Sequence, residues 1–338
     1  MSEQNIRFAV VGCGHIGKRH AAMIQQHPEA ELVGVIDIDP QQQAYVESTF
    51  RVPFFPSLEV FLHDGPAAEV LNICTPNFEH APQAIQALEA DCHVVVEKPM
   101  ALSKADGEAI IFKALQRSRA VFCVMQNRYS PPSVWLKELV DSGRLGKIYF
   151  VEVNCYWNRD GRYYKPGGWK GVAHKDGGTL FTQFSHFIDT MYWLFGDIKT
   201  IQGRFYDFNH QQLTEFEDSG VVSFDFVKGG AGTLTYSTAV WDRNLESSLT
   251  ILAEHGSVKV GGQYMNRVEH CHIRDYKMPT LPEAGPPNVY EGYTGSAANH
   301  HYVIQNVVDT LRNRSFASTN ALEGLKVIEM IERIYALK

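Results

Sequence analysis

Residues 8–20 read Phe8-Ala9-Val10-Val11-Gly12-Cys13-Gly14-His15-Ile16-Gly17-Lys18-Arg19-His20, and the fold follows from this stretch. Four apolar residues in a row suit a strand buried on both faces. The next six form G-x-G-x-x-G. Gly12 permits a tight turn, Gly14 lets backbone approach a pyrophosphate, and Gly17 lets the following helix pack on the sheet. His15 and Ile16 open that helix, and its free N–H groups face the phosphates. A helical pattern continues through His20, Met23 and Ile24, and a second apolar run, Leu32 to Ile36, ends at Asp37. A carboxylate there suits the hydroxyls of an adenosine ribose. It would repel a 2′-phosphate, and Ile38 and Asp39 offer no arginine, so the expected cofactor is NAD rather than NADP.

Working outward, the same alternation recurs. Val70 to Cys74 reads as a strand ending in Thr75-Pro76-Asn77, with His80 three residues on. His93 to Val96 ends at Glu97-Lys98-Pro99, and Val121 to Met125 ends at Gln126-Asn127-Arg128. Helical patterns separate these runs, so residues 1–125 are expected to form an α/β, doubly wound parallel sheet. Ligands bind off the carboxyl ends of such strands, so these polar ends are expected to line one crevice. After about residue 145 the strands lengthen and alternate, with Lys228-Gly229-Gly230 as a hairpin turn. This predicts a second, α+β domain over 126–338 with an open, largely antiparallel sheet. One helix, about 179–195, interrupts it. Residues 277–293 read as a Pro/Gly-rich loop, and helices at about 296–313 and 320–336 can pack back on the first domain.

Composition narrows the class. The chain has 338 residues with net charge −7, which argues against general nucleic-acid binding. No apolar run is long enough for a membrane span. The polar start MSEQNIRF leads straight into the first strand, which predicts a cytoplasmic protein. Six scattered cysteines without a C-x-x-C pair read as reduced core thiols. An open sheet face predicts a homodimer or homotetramer.

Three groups carry candidate chemistry. Lys98 sits at a strand end, where a lysine beside a nicotinamide can hold a substrate oxygen or move a proton; the alternative is a surface lysine. Helical spacing over 177–189 puts Thr182, Gln183, His186 and Asp189 on one face, making His186 either an acid/base or a core histidine satisfied by Asp189. In 156–175, Arg159, Arg162, Lys165, Lys170 and Lys175 interleave with Tyr156, Trp157, Tyr163, Tyr164 and Trp169. In an acidic chain that suggests an anionic ligand with a stackable face. His270-Cys271-His272 and His300-His301 lack a spaced third ligand, so no metal is expected.

The order G-x-G-x-x-G at 12–17, T-P-N-x-x-H at 75–80, E-K-P at 97–99 and G-G-x(7)-H-x-x-D at 177–189 resembles the glucose–fructose oxidoreductase/inositol dehydrogenase (Gfo/Idh/MocA) family over essentially the whole chain. The resemblance implies catalytic roles for Lys98 and His186. Inositol-dehydrogenase-like members carry aspartate four residues before the histidine; Thr182 stands there here, followed by Gln183. W-x-R-x-x-x-Y-Y at 157–164, W-K-G at 169–171, D-G-G at 176–178 and G-S-x-x-N-H at 295–300 are similar to the WlbA-type sugar-nucleotide dehydrogenases. That branch oxidises the 3-hydroxyl of UDP-N-acetylglucosaminuronate for cell-surface polysaccharide. It implies substrate contacts from Lys98, Arg159, Arg162, Tyr163, Tyr164, Thr182, Gln183, His186, Ser296, Asn299 and His300. It also implies cofactor contacts from the glycine loop, Asp37, Thr75, Pro76, Asn77, His80, Glu97, Lys98, Gln126, Asn127, Arg128 and Trp169. Two other readings stay open: a dehydrogenase of a free sugar or cyclitol, and a non-catalytic NAD-sensing regulator on the same fold.

Overall fold

The structure is a computed structural model and describes residues 4–290 and 292–338. The chain divides into two compact units, Met1–Met125 with His300–Ile328, and Gln126–Asn299 with Glu329–Lys338. The helix His300–Leu311 packs on the glycine-loop helix His15–Gln26 and belongs with the first unit.

The first unit is a six-stranded parallel sheet. Its strands are β1 (Ile6–Val11), β2 (Ala30–Ile36), β3 (Phe54–Phe55), β4 (Val70–Ile73), β5 (His93–Val96) and β6 (Val121–Cys123), in the order β3-β2-β1-β4-β5-β6. This is the doubly wound sheet expected from the sequence. Phe8, Val10, Leu71 and Ile73 are fully buried, as strands covered on both faces require. Asn72 is the polar exception within β4 and is also fully buried.

The second unit carries a seven-stranded mixed sheet. Its strands are β7 (Ile148–Tyr156), β8 (Ile198–Tyr206), β9 (Ser219–Phe226), β10 (Ala231–Ser237), β11 (Glu246–Ala253), β12 (Gly256–Gly261) and β13 (Arg267–Ile273), in the order β13-β12-β11-β7-β10-β9-β8. Only β7 and β10 run parallel; the other neighbours are antiparallel. Val151, Val153 and Cys155 of β7 alternate inward, as do Val222, Phe224 and Phe226 of β9. Phe187 packs edge-on to Trp157, and Phe195 lies against Phe226, so the helix Ser185–Phe195 covers that face. Among the described residues no helix is long and apolar enough to cross a membrane.

Two expectations need correction. The 277–293 segment is not all loop: β14 (Pro287–Tyr290) and β15 (Tyr293–Ala297) form a hairpin, and the following helix starts only at His300. The 179–195 helix is not regular either. Leu180–Phe184 is a π-helical turn that leads into the α-helix Ser185–Phe195. Its wider step breaks the 3.6-residue spacing used to place Thr182 and Gln183 beside His186.

Candidate active site

In the first unit the glycine loop is built as the motif demands. Gly12 has φ +93°, and a Cβ there would lie 2.8 Å from the Cys74 carbonyl oxygen. A Cβ on Gly17 would lie 1.7 Å from the Gly12 carbonyl oxygen, so only glycine permits this helix-to-turn contact. A Cβ on exposed Gly14 would meet nothing within 4 Å. Gly14 is the N-cap of the helix His15–Gln26, and no side chain caps that end. The loop thus offers backbone donors and room for a pyrophosphate. Beside it, the half-buried Asp37 carboxylate accepts the N–H groups of Cys13 at 2.5 Å and Asp39 at 2.8 Å. A carboxylate has about four acceptor positions, so two remain for ribose hydroxyls. These residues fit NAD.

The other strand ends are cross-braced. His80 is buried, with Nδ1 2.7 Å from the Pro99 carbonyl and Nε2 2.9 Å from the Thr75 carbonyl. Burial holds its pKa below the ordinary imidazole value against the pull of those carbonyls, so the neutral ring donates to one of them. Thr75 donates to Gln83 at 2.7 Å. Asn77 and Glu97 are buried and Lys98 is half-buried. His80 therefore ties the Thr75-Pro76-Asn77 turn to the Lys98-Pro99 turn.

In the second unit Thr182, Gln183, His186 and Asp189 each have a partner of their own. Thr182 donates to the Asp176 carbonyl at 2.9 Å and to the Asp176 carboxylate. Gln183 accepts from Arg159 Nε at 2.6 Å and donates to the Tyr163 hydroxyl at 2.8 Å. The Gln126 amide nitrogen lies 3.3 Å from His186 Nε2, so that ring nitrogen is the acceptor. Asp189 takes a two-pronged pair from Arg128, with Nε at 2.7 Å and Nη2 at 2.5 Å. Spacing alone missed Asp176, a 1% exposed carboxyl whose burial raises its pKa above the ordinary value despite the bond from Thr182.

The basic, aromatic stretch resolves into two unlike arginines. Arg162 is half-exposed and paired with Asp160 and Asp242. Arg159 is 2% exposed, and among the described residues no carboxylate reaches it. Its guanidinium lies over the rings of Trp157, Tyr163 and Tyr293 at 4.8, 5.1 and 5.1 Å. Lys170 Nζ sits 3.9 Å from the Tyr163 ring centre. Burial lowers the Arg159 pKa, and nearby tyrosines oppose that.

Residues 6–125 match the oxidoreductase family's NAD-binding Rossmann fold, and residues 134–259 match the GFO/IDH/MocA C-terminal domain. The chain belongs to the Gfo/Idh/MocA oxidoreductase family. The WlbA dehydrogenase of Bordetella pertussis, crystallised with NADH and UDP-GlcNAcA, is 32% identical, with 99% of this chain and 96% of that one covered and a TM-score of 0.87. Glucose-6-phosphate 3-dehydrogenase of Bacillus subtilis is 31% identical over 191 residues, 56% of this chain and 53% of its own length. D-glucoside 3-dehydrogenase of Escherichia coli is 27% identical over 201 residues, 58% of this chain and 56% of its own. This member of the family is an NAD-dependent oxidoreductase.

Several residues of this Gfo/Idh/MocA chain expected at a ligand also make internal contacts. Ser296 donates to Asn127 at 2.5 Å, and Asn299 donates to the Gln126 carbonyl at 3.3 Å and to Ser130 at 3.0 Å. They brace the 126–130 turn, and Arg128 is held by Asp189. Tyr164 is buried, packed edge-on to Tyr163, and Trp169 is half-buried near Lys170. His300, expected at the substrate, is 1% exposed against His20 and Glu97. One ligand-type atom from each of these three lies within 4.8 Å of the others. The 3.0 Å His20–Glu97 separation is a hydrogen bond, and we read the group as hydrogen-bonded.

Proposed function

We propose that this chain is an NAD-dependent dehydrogenase of a nucleotide-linked sugar, oxidising the 3-hydroxyl of a UDP-N-acetylated sugar or uronate. The observation that carries the reading is the near full-length similarity to a dehydrogenase crystallised with NADH and UDP-GlcNAcA. The names of two further relatives specify oxidation at position 3. Arg159, a buried cation that no carboxylate of the described residues reaches, supports a substrate that brings negative charge. The glycine loop holds the pyrophosphate and Asp37 the ribose. Bound NAD supplies the hydride acceptor. His186, whose Nε2 is kept as an acceptor by Gln126, takes the hydroxyl proton, and Lys98 donates a hydrogen bond to the same oxygen.

Lys98→Met and His186→Asn should each lose on the order of 100-fold or more in kcat while NADH affinity stays within a few-fold. Near-native rates in both variants would overturn the assignment of roles. Efficient oxidation of free glucose or myo-inositol with no turnover of any nucleotide sugar would overturn the substrate class.

A further inference from the structure

Within the second unit two buried arginines are treated differently. Arg128 is paired with a buried carboxylate, Asp189, through two bonds. Arg159 is also buried, yet among the described residues it meets only neutral acceptors. Its Nε donates to Gln183 Oε1 at 2.6 Å and its Nη1 to the Asn158 carbonyl at 2.6 Å and Asn244 Oδ1 at 3.3 Å; Nη2 donates to the Thr294 carbonyl at 3.2 Å. A guanidinium carries five N–H groups, so one on Nη2 is left over. The contact also orients the buried Gln183 amide. Arginine only donates, so Oε1 must face it, and Nε2 then donates to the Tyr163 hydroxyl at 2.8 Å. Having accepted that bond, Tyr163 keeps its own proton for another acceptor, and among the described residues none takes it. Lys170 Nζ lies 3.9 and 5.3 Å from the ring centres of Tyr163 and Tyr293, the same two rings that the Arg159 guanidinium covers. Asp176, the buried acid whose field reaches Tyr163, accepts from Thr182 and from the Gly171 N–H.

A buried cation ordinarily takes a carboxylate of its own, because the charge is costly to desolvate. A glutamate at 183 would supply one in the same shape, and a mere brace would be served better by it, as Arg128 and Asp189 show. We propose that Gln183 is a positioning residue for substrate selection: its neutral amide anchors Arg159 without cancelling the charge and turns the Tyr163 proton away from itself, so that both donors are kept for one carboxylate of the substrate. This rests on the reading that the substrate is a nucleotide-linked sugar, and it commits that reading to the uronate over the neutral sugar. One N–H and one hydroxyl suit a carboxylate, with two oxygens and a single charge; a diphosphate takes more donors than these. Away from water such a charge contact is strong, and it offsets the cost of the unpaired cation only when the substrate is bound.

The test is the ratio of kcat/KM for UDP-N-acetylglucosaminuronate to that for UDP-N-acetylglucosamine, with the oxidised products read by mass spectrometry. Wild type should favour the uronate by about tenfold or more. Gln183→Glu keeps the shape and the Arg159 bond, but it pairs the cation and draws the Tyr163 proton onto itself. It should cut the ratio by about tenfold or more, with the loss in KM for the uronate rather than in kcat, as for a contact made equally in the ground and transition states. The variant should melt no lower than wild type without ligand, since a buried charge has gained a partner. If it melts lower, Arg159→Gln and Arg159→Lys decide: the lysine variant should keep more of the preference, and equal ratios in the two would overturn the proposal. A Gln183→Glu ratio within about two-fold of wild type, with both substrates slowed alike, would show a merely structural role and overturn it as well. A wild type without preference for the uronate would overturn the proposal and leave the nucleotide-sugar reading standing. Turnover of no nucleotide sugar by wild type would overturn both.

Discussion

Gly14 and Gly17 stand three residues apart in one motif, yet the structure assigns them opposite sensitivities to a single methyl group. At Gly14 the backbone is extended, with φ −72°, and the added Cβ meets nothing within 4 Å. Gly14→Ala should therefore fold with stability within about 1 kcal/mol of wild type. Its methyl would occupy the space through which a pyrophosphate reaches the loop, so NADH affinity should fall tenfold or more, about 1.4 kcal/mol. At Gly17 the same methyl lies 1.7 Å from the Gly12 carbonyl oxygen, which neither turn nor helix can yield without moving apart. Overpacking of this kind costs about 1–3 kcal/mol, and in a unit of this size that lowers Tm by roughly 4–10 °C. Thermal melts with and without NADH read both effects. At about one hundred times its Kd, NADH should stabilise wild type by about 2.7 kcal/mol, and Gly14→Ala should lose about half of that gain. A Gly14→Ala protein that binds NADH as wild type does, or a Gly17→Ala protein with an unchanged apo Tm, would refute the reasoning.

The Arg128–Asp189 pair is buried on both sides, with side chains 2% and 1% exposed. Asp189→Asn should destabilise by about 3–5 kcal/mol in urea melts, and Arg128→Met with Asp189→Leu should recover most of it. The His210–Asp218 pair predicts a pH window. Burial pushes His210 down, but Asp218 at 3.0 Å and the Arg159 carbonyl lift it above its ordinary 6.5. Burial pushes Asp218 up, but His210, the Asn209 and Phe208 N–H groups and Ser219 bring it from 3.8 to about 2. The pair's contribution, on the order of 1–2 kcal/mol, should be complete between about pH 3.8 and 6.5. It should fade above 6.5 as His210 deprotonates and below 3.8 as Asp218 protonates; the Tm gap between wild type and His210→Gln across pH checks this. Asp37→Ser should improve NADP affinity relative to NAD by tenfold or more, measured by fluorescence titration.

The nucleotide-binding half was legible because its signals are local. Strand, glycines, helix and Asp37 follow one another within thirty residues, and Gly12 and Gly17 each answer to a clash with nearby backbone, whereas Gly14 leaves open space. The second half was legible only in outline. Alternation in β7, β9 and β10 showed the sheet, but the π-helical turn at Leu180–Phe184 defeated a spacing argument built on 3.6 residues per turn. Pro and Gly disguised the β14–β15 hairpin as loop. The sequence could not tell buried Arg159 from half-exposed Arg162, because the partners of Arg159, Gln183, Asn244 and the Thr294 carbonyl, come from three other segments. His300 was paired in sequence with exposed His301, whereas its neighbours in space are His20 and Glu97.

The most direct test is to incubate the purified protein with NAD and a panel of nucleotide and free sugars, and to follow each by mass spectrometry. The proposed chemistry predicts a product two hydrogens lighter from a UDP-N-acetylated sugar, with a UDP-uronate turned over more efficiently than its neutral counterpart. Mass spectrometry sees that product even if the reduced cofactor stays bound. Oxidation confined to free sugars or cyclitols, or NAD binding with no oxidised product from any of them, would contradict it.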